Sequence, residues 1–85
     1  MIIETENSIY KVTIEVGEPI DENVPDAGFK LQFKVVKIKS LKDSRAMEEG
    51  QAIYGNVLDI RRGQLHLLKG TETKILTTPI RRVIE

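Results

Sequence analysis

Cysteine and tryptophan are missing from the sequence altogether. Without thiols there are neither disulfides nor thiolate metal sites to staple a small fold, so stability has to come from one apolar core. Aromatic residues are few: Tyr10, Phe29, Phe33 and Tyr54. That is thin support for a single-strand nucleic-acid binder, which interleaves exposed aromatic platforms with basic residues. Only one histidine, His66, is present, no serine stands in a nucleophile-elbow context, and no glycine-rich phosphate loop occurs. No segment approaches the roughly 20 apolar residues of a membrane span. The opening MIIETENS has no basic leader and no long apolar run, so no secretion signal is expected and the expected setting is cytoplasmic.

What the chain does have is charge, balanced in total and divided in place. Among its 85 residues, 13 are basic and 13 acidic. From Met1 to Gly28 seven acids stand against Lys11 alone, a net of −6, whereas Phe29 to Glu85 carries twelve basic and six acidic residues, a net of +6. Such asymmetry marks either a charged binding face or two halves that neutralise each other across neighbouring strands.

Alternation of apolar and polar residues dominates, the period of half-buried strands. MIIET and IYKVTIEV form an expected hairpin around Glu6-Asn7-Ser8, with Tyr10, Val12, Ile14 and Val16 on one side. GEPIDENVPDAG (17–28) reads as a long acidic loop. In FKLQFKVVKIK, the residues Phe29, Leu31 and Phe33 share the apolar face, and a β-bulge at Val35-Val36 returns Ile38 to it. That reading buries Phe29, Leu31, Phe33 and Ile38 and exposes Lys30, Lys34, Lys37 and Lys39 along one side. SLKDSRAMEEG (40–50) changes period and predicts a short helix capped by Ser40 and closed by Gly50. QAIYGNVLDI and QLHLL flank Arg61-Arg62-Gly63-Gln64, a tight turn in which Gly63 supplies a positive φ; this predicts a hairpin over Asp59–Leu67 with His66 on its outer face. ILTTPIRRVIE is a last strand that Pro79 either bends or confines to an edge. No repeat and no low-complexity stretch interrupts this order.

The expected fold is therefore mostly β: a single small domain over 1–85, a curled sheet or barrel of five to six strands with one short helix. The element order matches an OB-like barrel, or alternatively an SH3-like one.

Chemistry has little to work with, so no enzyme, metal or cofactor is expected. The binding positions expected are Lys30, Lys34, Lys37, Lys39, Arg61, Arg62 and Lys69, which meet on one face if the bent strand and the hairpin are neighbours. Such a face holds a protein partner or a small phosphate-bearing ligand, and the acidic loop 17–28 is the rival surface. A closing strand with an open edge (Ile75–Ile84) adds the expectation of a homodimer.

The short hairpin MIIETENSIYKV together with the closing LTTPIRRVIE resembles short, uncharacterised β-rich proteins carried by bacteriophages and other mobile elements. Thr78 stands where serine is usual in that closing strand and Ile80 where valine is. The resemblance spans about a quarter of the chain and brings no functional residues. It implies an accessory protein that binds a host or phage component. The expected function is thus a non-catalytic binding module, with a nucleic-acid-binding small β-barrel as the alternative and no membrane partner.

Overall fold

The computed structural model describes residues 1–42 and 47–85. Seven strands follow in chain order: β1 (Ile2–Thr5), β2 (Ser8–Pro19), β3 (Phe29–Ser40), β4 (Ala52–Gly55), β5 (Val57–Arg61), β6 (Gln64–Lys69) and β7 (Glu72–Ile84). They form one antiparallel sheet in the order β4-β3-β2-β1-β7-β6-β5, curled into a half-barrel. A single 3-10 turn, Pro25–Ala27, lies between β2 and β3. Among the described residues there is no α-helix, so none is long and apolar enough to cross a membrane.

Two features of the expected architecture change. The strands number seven because QAIYGNVLDI is broken at Gly55-Asn56 into β4 and β5. The helix expected over 40–50 is absent from its described residues: Ser40 ends β3, Leu41 and Lys42 make a bend, and Glu49-Gly50 make a turn. Residues 43–46 of that stretch lie outside the described residues. With no helix among the described residues, the likeness to an OB-type barrel lacks the element it rested on.

The first hairpin is as alternation predicts. Glu6 and Asn7 turn the chain, and Thr5 closes the turn by accepting the Ser8 N–H at 3.2 Å while its hydroxyl donates to the Ser8 carbonyl at 3.1 Å. Long strands β2 and β3 then pair from Ser8↔Ser40 to Pro19↔Phe29. The bulge falls at Ile38, since Ile9 pairs Lys39 while Tyr10 pairs Lys37. Alternation through Phe33, Val35 and Lys37 is consequently unbroken, and Lys37 points into the core.

That core consists of Ile3, Tyr10, Val12, Val35, Met47, Leu65, Leu67 and Ile75, with Phe33, Ile53, Leu58 and Ile80 packed against it. Each fully buried aliphatic or aromatic side chain contributes about 1.5–3 kcal/mol. Lys37 is fully buried among them, its ammonium donating to the Met47 carbonyl at 2.7 Å. Phe29, Leu31 and Ile38, by contrast, are exposed, and Phe33 is only half-buried. The expected burial of this strand is corrected in both directions.

Pro79 marks a bend. Strand β7 pairs with β6 up to Gln64↔Pro79 and with β1 from Thr5↔Ile80 onward, so it changes partner at the residue that lacks an N–H. The closing strand thus lies between β1 and β6, not at the edge of the sheet where a dimer contact was expected.

Candidate functional site

The β4 strand is short, and that shortness makes the site. It pairs with β3 only from Phe33↔Gly55 to Val36↔Ala52, while β3 and β2 run on to Phe29 and Pro19. Beyond Gly55 the chain turns away from β3 into β5. Asn56 fixes that corner: its N–H donates to the Leu68 carbonyl at 2.9 Å, and its side-chain Oδ1 accepts the Gly70 N–H at 2.8 Å. The β6–β7 turn, with Lys69 just before it, is thereby drawn up beside the free stretch of β3.

A cleft of about 220 Å³ remains between them, lined by Gly17, Glu18, Lys30, Leu31, Gln32, Tyr54, Gly55, Asn56 and Lys69. Its wall contains backbone that is unpaired among the described residues. The Lys37 N–H and carbonyl bond Gln51 and Gly50 on the β4 side, and in an antiparallel ladder this direction repeats every second residue. Leu31 is six residues earlier in unbroken alternation, so its N–H and carbonyl point to the same side, where β4 has already ended. Edge groups of this kind pair readily with another extended chain.

Charge surrounds that edge. Lys30 and Lys69 line the cleft against the single carboxylate of Glu18. Lys34 stands next along the same side of β3, its ammonium 5.9 Å from the centre of the Tyr54 ring and 3.6 Å from a Glu15 carboxylate oxygen. The ring contact adds a cation–π attraction of about 0.5–1 kcal/mol at an exposed site. Glu15 leaves Lys34 largely neutralised, whereas Lys30 and Lys69 form no ion pair among the described residues.

Of the seven expected binding residues, the fold gathers Lys30, Lys34 and Lys69 and disperses the rest. Lys37 is inside the protein. Lys39 is exposed at the far end of β3. Arg61 and Arg62 are at the β5–β6 turn, four strand positions and about 13 Å along β5 from its Lys69 end. The turn itself is as expected, with Gly63 at φ 75°, but Arg62 also takes a positive φ of 53°. Arg61 is not free. Its Nε donates to Asp59 Oδ2 at 3.1 Å, and this bond, with the Ile60 N–H on the other oxygen, holds the Asp59 carboxyl below its ordinary range.

Sequence reasoning passed over Tyr54 and Asn56, and it placed His66 on the surface. His66 is 8% exposed, with Nε2 2.7 Å from the Thr73 hydroxyl and no partner for Nδ1 among the described residues. A second hollow, about 420 Å³, is lined by Met1, Ile3, Leu58, Ile60, Leu65 and Val83; its one ionisable side chain, Asp59, is the carboxylate already engaged by Arg61. It offers apolar surface without a free polar anchor, so the cleft at Tyr54 is the stronger site. Compared with protein-family models, curated proteins and solved structures, the chain matches none.

Proposed function

We propose that this protein is a non-catalytic binding module that takes an extended, acidic segment of a protein partner as an added strand along β3, in the cleft beside Tyr54. The observation that carries this reading is the unpaired N–H and carbonyl of Leu31 in the cleft wall, flanked by Lys30 and Lys69. Backbone pairing supplies affinity in strand addition, while side chains at alternate positions select the sequence. Two lysines against one carboxylate favour a segment rich in Asp or Glu. Tyr54 provides one apolar surface for a residue of the incoming strand. The phosphate-bearing small ligand and the nucleic acid are weaker readings. With Tyr10 buried, the exposed rings are Tyr54 and Phe29, and because they lie on opposite faces of the sheet they make no shared stacking platform. The proposed setting is cytoplasmic, as an accessory protein of a phage or mobile element acting on a host or phage protein.

A peptide of alternating Glu and Val, titrated into isotope-labelled protein, tests this. The Leu31 amide resonance should shift and gain protection from exchange, followed by Lys30, Gln32 and Lys69. Leu31→Pro removes only the outward donor, leaves the β2 ladder its bonds, and should abolish the response while the fold is kept. If inorganic phosphate or a short oligonucleotide shifts these resonances and the peptide does not, strand addition is wrong.

A further inference from the structure

The side of the β2–β3 hairpin that faces the core continues past the core. Directly paired residues on antiparallel strands share a face. Tyr10↔Lys37 and Val12↔Val35 lie on the inward face, and all four residues are buried. Ile14↔Phe33, Val16↔Leu31 and Pro19↔Phe29 follow on that same face. Phe33 still packs against the core, but beside and beyond it no described residue covers the face: Ile14 is 63% exposed, Val16 64%, Leu31 64% and Phe29 56%. The protein measures 46 × 25 × 25 Å. A two-stranded ribbon with one bare apolar face is marginal in water, because a sheet gains its stability by burying that face against a second layer.

We infer that the second layer is another copy of this chain, the two arms packing face to face and antiparallel about a two-fold axis near Val16 and Leu31. Three observations select this occupant. The face carries no charged side chain from Ile14 to Val16 or from Phe29 to Phe33, so it is its own complement, as an isologous contact requires. Four large side chains, each more than half exposed, make a patch on the order of 400–500 Å², within the size range at which a monomer's largest patch is commonly functional. Ile20 and Val24, exposed at the arm's tip, extend it toward the roughly 800 Å² per partner of a standard interface. Charge agrees as well. The tip carries Glu18, Asp21, Glu22 and Asp26, and an antiparallel arrangement sets it against the end of the partner's barrel from which the arm leaves. Lys69, the last residue of β6, lies there, lining the cleft with Gly55 at the end of β4 and Lys30 on the arm. The contact uses the face of the arm and leaves the outward edge of β3 open, so it stands or falls independently of strand addition.

Light scattering on the full chain alone, at high micromolar concentration, tests the contact. The wild type should have the mass of two chains and Val16→Glu that of one. Since Val16 is already exposed in the single chain, Val16→Glu should keep the wild-type circular dichroism. The absence of native cysteine permits a second measurement. Under mild oxidation Val16→Cys should form a disulfide-linked dimer, and Glu15→Cys, on the opposite face, should not. A wild type of single-chain mass, a Val16→Glu variant that keeps two chains, or equal cross-linking by both cysteine variants would each overturn the inference.

Discussion

A lysine with no exposed surface acts on stability through its stem as much as its charge. The four methylenes of Lys37 fill space between Tyr10, Val35 and Met47, and its ammonium satisfies the Met47 carbonyl at 2.7 Å. Lys37→Ala removes both, leaving a cavity and an unpaired carbonyl. The expected cost is about 2–5 kcal/mol, the range for truncating a long core side chain. Lys34→Ala, which breaks a half-exposed pair with Glu15, should cost under about 1 kcal/mol. Urea denaturation of the two variants decides between this ordering and its reverse. A titration separates the roles of Arg61 and Asp59. The folded Asp59 carboxyl lies below its ordinary value of 3.8, first through the Arg61 hydrogen bond and then through the Ile60 N–H. Its contribution to stability is therefore present above that ordinary value and fades as pH falls through the lower folded one. Arg61→Ala should raise the Asp59 pKa toward normal in a carboxyl NMR titration. The double change of Arg61 and Arg62 to alanine should leave Tm at neutral pH almost unmoved, because the pair is exposed.

Elements owe their placement here to a few close backbone approaches. Gly55 is one: a Cβ added there would lie 2.5 Å from the Leu68 carbonyl oxygen and 2.8 Å from the Leu67 side chain. Glycine is needed not for its φ but because the end of β4 passes directly over β6. Gly55→Ala should force β4 off β6, open the cleft, and cost about 1–3 kcal/mol, the range for overpacking a tight site. Gly50→Ala, with a positive φ but open space around it, should cost about 1–2 kcal/mol through backbone strain alone. Thermal denaturation compares them, and only Gly55→Ala should also disturb the Leu31 and Lys69 resonances. The same approach explains what could be read in the sequence. The β5–β6 hairpin was legible, because Arg62-Gly63 and the flanking leucines are local signals. Strands β2 and β3 were legible as two long alternations, each with an apolar face. Which part of that apolar face is covered was not, since alternation identifies a face and says nothing of where the opposing layer ends. Lys37 misled for a related reason: a lysine in phase with Val35 was turned outward by a bulge at Val35-Val36, whereas the extra residue is Ile38. Lys30 and Lys69 were recognisable as basic positions. Their meeting depends on the Asn56 corner and on β4 stopping at Gly55, and a free backbone edge leaves no mark on composition.

At the scale of the whole molecule, stability is distributed unevenly, and the arm is its weak end. Leu65, Leu67, Val35 and Ile3 are essentially without exposed surface, so the amides around them open only when the whole domain unfolds. The ladder from Val16↔Leu31 to Pro19↔Phe29 has one sheet face bare and, among the described residues, no third strand on its outer edge, so in a single chain it opens locally at small cost. If two copies cover each other's arms, opening that ladder also requires separating the copies. Exchange protection of its amides then rises with protein concentration, as the bound state is favoured by mass action. Protection of the β6 amides is set by global unfolding and should rise far less over the same range. Hydrogen exchange followed by NMR at two protein concentrations should therefore slow selectively between Thr13 and Pro19 and between Phe29 and Lys34. The Val16→Glu variant should lose that concentration dependence and keep the slow exchange of Leu65 and Leu67. Arm amides that exchange at one rate at every concentration would show the arm to be uncovered in solution, and uniform slowing across all seven strands would place the contact between copies elsewhere on the sheet.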